Sequence, residues 1–95
     1  MELTYGRYLK VEELLQLQQP LSEGPEHDEM LFIIIHQVYE LWFKQILHEL
    51  EKLKSSFQEG ERGKALHTLK RIRSILKVLV SQVDVLETMT PLEFL

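Results

Sequence analysis

From Met30 to Ile46 the chain is too apolar for one side of an exposed helix. Leu31, Phe32, Ile33, Ile34 and Ile35 follow one another without a polar break, and Trp42, Phe43 and Ile46 follow within the next turns. An amphipathic surface helix shows one apolar stripe about 100° wide, whereas consecutive apolar residues point in every direction. A helix of this kind has to be surrounded on all sides. Its one imidazole, His36, then sits in the same apolar setting and needs either a hydrogen-bond partner or a task.

A chain of 95 residues makes one domain at most, and a domain of that size hides only about 60 to 68% of the surface its unfolded form exposes. With 44% hydrophobic and 27% charged residues the composition is globular, and three Pro and four Gly leave long uninterrupted helical stretches. The absence of Cys excludes disulfides, thiolate metal sites and cysteine nucleophiles. No signal-like start and no run of 18 apolar residues occurs, so neither a membrane nor export is expected and the cytoplasm is the expected compartment. A net charge of −4 argues against nucleic acid as a partner. The basic group Lys70, Arg71, Arg73 and Lys77 reads either as a solvated helix face or as an anion or partner contact.

Along the chain the pattern predicts an all-α fold. Residues 1–9 read as an extended or loosely structured arm, because Tyr5, Gly6 and Tyr8 show no helical period. Residues 10–19 read as a short helix, with Val11, Leu14, Leu15 and Gln18 on one side and Pro20 ending it. After a turn through Ser22, Gly24 and Pro25, a long helix is predicted over 27–58, with Asp28 and Glu29 at its positive end and Gly60 as its C-terminal cap. Its second half carries a seam of Tyr39, Phe43, Ile46, Leu50, Leu53 and Phe57, and a second long helix over 61–89 carries Ala65, Leu69, Ile72, Leu76, Leu79, Val83 and Leu86. The short connection makes these antiparallel neighbours, an αα-hairpin about 40 Å long at ~1.5 Å per residue. Thr90, Pro91 and Glu93 form a helix-start signature over 90–95, which implies that the segment is the N-terminal part of a longer domain.

For chemistry, His36 shares a helix stripe with Phe32 and Glu40, and Tyr39 lies close by. It reads either as a core histidine satisfied by a neighbour or as a ligand contact, since an aromatic wall beside an imidazole suits a planar ring bearing an N–H group. His36 and Glu40 supply only two metal ligands, His27 and His48 do not share their face, and His48 and His67 read as exposed helix positions, so no metal site is expected within this chain. Trp42 reads as core packing. Tyr5 and Tyr8 call for a groove, either on the hairpin or on a neighbouring subunit.

The arm Leu3 to Leu9, the block His27 to Gln37, the run Glu40 to Leu50 and the ending Val85 to Pro91, in this order and spacing, resemble the N-terminal part of tryptophan 2,3-dioxygenase. The resemblance implies part of a larger helical haem dioxygenase fold, a homotetramer that inserts O2 across the indole C2–C3 bond of L-tryptophan to give N-formyl-L-kynurenine in the kynurenine pathway. It implies a substrate pocket lined by Phe32, Ile33, Ile34, Ile35 and His36, with His36 on the distal side accepting a hydrogen bond from the indole N–H. Tyr5, Tyr8 and Leu9 correspond to arm positions that enter the pocket of an adjacent subunit. The family's axial histidine and carboxylate-binding arginine fall beyond residue 95, so this chain alone is expected to be inactive. A different expectation is a catalytically silent helical module of the same ancestry that self-associates through its apolar faces.

Overall fold

The structure, a computed structural model, describes residues 3–24 and 26–89. Four helices follow one another, and no strand occurs among the described residues: α1 (Tyr5–Tyr8), α2 (Val11–Leu14), α3 (His27–Gln58) and α4 (Arg62–Leu86). The helix start expected at Thr90 and Pro91 lies outside them.

The arm is not extended. Thr4 caps α1 by accepting from the Arg7 amide at 3.3 Å, and the single turn ends where Lys10 takes a left-handed conformation (φ 54°) that redirects the chain into α2. The helix expected over 10–19 closes after Leu14, because its last bonds tighten to the three-residue kind and side chains take over its carbonyls. Gln18 donates to Leu14 O at 2.9 Å, and Gln37 of α3 donates to Leu17 O at 2.9 Å while accepting from Gln18 at 2.9 Å. Two glutamines thereby fasten the connector to α3. The loop that follows is gathered by Glu29 in the first turn of α3, whose carboxylate accepts from the amides of Leu21 and Ser22 and from the Ser22 hydroxyl. Those bonds, the Ser22 hydroxyl first, hold the Glu29 carboxyl below its ordinary value.

The hairpin turn follows from one glycine. Gly60 adopts φ 70°, its amide donates to Phe57 O at 3.2 Å, and the Glu61 amide reaches back to Ser56 O at 2.8 Å. This pair of bonds is the Schellman arrangement that a C-terminal glycine makes possible. From there α3 and α4 run antiparallel: Arg71 pairs with Glu49 near the middle, and Tyr39 meets Leu79 farther from the turn.

The seam between the long helices differs from the expected one at alternate positions. Of the expected contacts, Ala65, Ile72 and Leu79 are buried and Tyr39, Ile46, Leu53 and Leu86 half-buried, whereas Phe43, Leu50, Phe57, Leu69, Leu76 and Val83 remain exposed. The residues just before those six take their places: Trp42 half-buried, Glu49, Ser56, Thr68 and Ile75 buried, and Gln82 half-buried. Hydrophobicity selects the apolar residue beside a polar one, but close approach of two helices favours the smaller side chain where one is present, as at Ser56 and Thr68. Glu49 is tolerated because Gln45 donates to it at 2.7 Å and the Arg71 guanidinium lies 3.6 Å away. Phe57 and Leu69 are thereby turned outward.

The result is a slab. Its principal extents are 56 × 41 × 16 Å, and the smallest of these leaves room for a single layer of helices, each about 10 to 12 Å across. The radius of gyration of 18.0 Å compares with about 12 Å for a compact domain of this length. Among the described residues full burial is confined to the line where α3 and α4 touch.

Candidate functional site

The N-terminal half of α3 presents its aromatic groups as a column. Phe32, His36, Tyr39 and Phe43 follow at steps of four, three and four residues, which places them in succession along one side of a helix. The Phe32 and His36 rings lie 4.2 Å apart at 36°, His36 and Tyr39 6.5 Å apart at 65°, and Tyr39 and Phe43 6.1 Å apart at 23°. The imidazole therefore stands between two aromatic rings. Phe32 is 41% exposed and His36 is exposed, so the pair forms an open wall.

One bond sets the chemical character of His36. Its Nδ1 lies 2.7 Å from the carbonyl oxygen of Phe32, and a carbonyl can only accept, so Nδ1 carries the hydrogen. In the neutral ring the outward nitrogen, Nε2, is then the acceptor. An acceptor flanked by aromatic faces is suited to a flat ring that brings an N–H group.

The remaining expected residues divide by face. Ile33 is half-buried and Ile34 is 41% exposed, both within reach of solvent beside the column. Ile35 is 6% exposed and shares the face that α3 turns toward α4, in line with Trp42 and Glu49. Tyr5 and Tyr8 stay 79% and 69% exposed and Leu9 is also exposed. Among the described residues helix α1 packs on α2, and α3 on α4, so α1 does not settle on the hairpin. His27, His48 and His67 are exposed helix positions. Among the described residues no three His, Asp or Glu side chains gather as a metal site, and no helix is long and apolar enough to cross a membrane.

Three features went unmarked in the sequence reading. The Tyr39 hydroxyl donates to Leu79 O at 3.0 Å, a bond between helices that the pairing of apolar residues does not reveal. The Gln18 and Gln37 pair is equally invisible to periodicity. Glu49 carried a signal, since Ile35, Trp42, Glu49 and Ser56 recur at strict intervals of seven, but only to a reader willing to place a carboxylate in a seam. Beside the column lies a groove of about 460 Å³ lined by Leu14, Leu17, His36, Gln37, Glu40, Leu41 and Lys44.

Comparison with known proteins then places the chain. The family model described as tryptophan 2,3-dioxygenase matches residues 1–95. A protein of that name from Herpetosiphon aurantiacus is 63% identical over 92 residues, covering 97% of this chain and 35% of the relative. One from Nocardioides sp. is 55% identical over 98 residues, covering 99% of this chain and 37% of the relative. One from Aedes aegypti is 48% identical over 101 residues, covering 98% of this chain and 26% of the relative. The chain spans roughly a quarter to a third of the length of these proteins.

Proposed function

The chain belongs to the tryptophan 2,3-dioxygenase family, and from that footing we propose that it forms the N-terminal, substrate-pocket part of a haem enzyme converting L-tryptophan and O2 to N-formyl-L-kynurenine in the cytoplasm. The observation that carries the reading is the 2.7 Å contact between His36 Nδ1 and the Phe32 carbonyl oxygen. With Nδ1 committed to Phe32 O, Nε2 is free to accept a hydrogen bond from an indole N–H, while the Phe32 ring offers the indole a stacking face. His36 orients the substrate and does not act as a base, because a neutral indole N–H is a weak acid. Ile33 and Ile34 extend the apolar side of this wall, and Ile35 supports it from the seam with α4.

The residues present fit one wall of a haem pocket: aromatic, apolar and provided with one acceptor. When bound, the haem supplies the iron that activates dioxygen. His36 is assigned to the substrate, and of the other described histidines His27 and His48 are exposed on α3 while exposed His67 of α4 accepts from the Arg71 guanidinium at 3.5 Å, so none is assigned to hold the haem. We assign the axial histidine and the carboxylate-binding arginine to regions outside this chain. Tyr5, Tyr8 and Leu9 complete the pocket of an adjacent subunit of a homotetramer, a role that their exposure supports.

Grafting tests the reading. The chain is placed in the Herpetosiphon aurantiacus relative instead of the matching 92 residues. The graft should form N-formylkynurenine from L-tryptophan, and His36→Ala in it should lower kcat/KM about threefold to tenfold, the worth of one hydrogen bond. A folded graft indifferent to His36→Ala would sink the proposal. The 95-residue chain alone, given haem, ascorbate and L-tryptophan, should yield no product.

The second reading, a silent self-associating helical module, draws on the exposed surface. The chain exposes 8118 Å², against about 5,700 Å² for a compact monomer of 11.3 kDa. An inactive graft from a chain that assembles by itself would favour it.

A further inference from the structure

We propose that Tyr39 is a positioning residue that holds His36 in its acceptor-outward orientation, a role that deepens, and rests on, the substrate-pocket reading above. The Tyr39 side chain is fixed at both ends. Its hydroxyl donates to the carbonyl of Leu79 at 3.0 Å, and Leu79, only 8% exposed, belongs to the buried seam of α4. Its ring packs nearly parallel on Phe43 at 6.1 Å and 23°. Held in this way, it meets the His36 imidazole at a steep angle of 65° and 6.5 Å.

His36 has few restraints of its own. It sits on an exposed stretch of α3, its Nδ1 bonds to the carbonyl one turn back, and Phe32 flanks one side. A histidine on an open helix face has other staggered positions within reach, and in water an imidazole favours the tautomer with hydrogen on Nε2. That form would offer an N–H group outward where the substrate also offers one. Tyr39 closes the side opposite Phe32, which keeps the ring where the Phe32 carbonyl can hold the hydrogen on Nδ1. Through Leu79, the orientation of an exposed imidazole is referred to a buried residue of the neighbouring helix.

The test reads His36 directly in the 95-residue chain, labelled with 15N. Two-bond 15N–1H spectra report the ratio of the Nδ1–H to the Nε2–H tautomer, and His36→Gln assigns the signals. In the parent chain the Nδ1–H form should dominate. Tyr39→Phe, which removes only the hydroxyl, should lower the ratio about twofold to threefold, and Tyr39→Leu, which also removes the ring, about fivefold or more. Circular dichroism verifies helix content, and should Tyr39→Leu fail to fold, Tyr39→Phe decides alone. A general loss of stability would shift the melting temperature and leave the tautomer ratio in the folded chain unchanged. An unchanged ratio in a folded Tyr39→Phe chain, or a parent chain already in the Nε2–H form, overturns the proposal. Because this readout needs neither tryptophan nor haem, it fails independently of the graft experiment.

Discussion

Glu29 shows how one side chain can tie a loop to a helix. Its carboxylate gathers the amides of Leu21 and Ser22 and the Ser22 hydroxyl, and those bonds keep its folded value below the ordinary 4.5. The unfolded chain therefore holds the proton more tightly, so the stabilisation is fully present above pH 4.5 and is lost as pH falls through the lower folded value. Amide shifts of Leu21 and Ser22 should move together in an acid titration below that pH, and Glu29→Gln should abolish the step. Gly60 offers a second test. No heavy atom lies within 4 Å of where a Cβ would sit, so Gly60→Ala meets only the φ of 70°. It should destabilise the hairpin by about 1 kcal/mol in urea titration. This glycine was readable from the sequence because αL caps have a residue preference. The His36 tautomer was not, because the Phe32 carbonyl that decides it carries no sequence signature.

For the paired helices, the register of the seam is the matter to test. Leu79→Ala, at a buried position, should cost about 2 to 3 kcal/mol, and Leu76→Ala, at a position 48% exposed, well under 1 kcal/mol. Equal costs in denaturant titrations would restore the expected seam through Leu76. Glu49 is 4% exposed, whereas the Arg71 side chain is 52% exposed. Arg71→Ala strands a buried carboxylate and should cost about 1 to 2 kcal/mol, while Glu49→Leu leaves an arginine that can turn to water and should stay within about 1 kcal/mol of the parent. The two long helices were legible in the sequence, although the second, expected over 61–89, runs over Arg62–Leu86. Their facing was half legible. Periodicity locates a wide apolar band, but where Thr68 stands beside Leu69, or Ser56 beside Phe57, the closeness of the partner helix decides which turns inward.

Taken whole, the chain is a one-layer slab that leaves many large apolar side chains exposed. Its surface of 8118 Å² exceeds that of a compact monomer of its mass by an amount comparable with the larger permanent interfaces. At micromolar concentration the 95-residue chain should sediment as a dimer or larger assembly, and a stable monomer would count against that reading of its faces. The sequence announced this at Leu31 to Ile35, a stretch too apolar for any hairpin to cover, and the structure leaves Phe32 and Ile34 each 41% exposed. The Gly60 turn has a consequence in time as well as in space. A hairpin closes first beside its turn, because loop entropy is smallest there, and zips outward. Ser56, Thr68 and Glu49 would then align before Tyr39 finds Leu79. The end that carries His36 closes last and opens first, so hydrogen exchange should grade along both helices, slowest near the turn and fastest around Phe32 and His36.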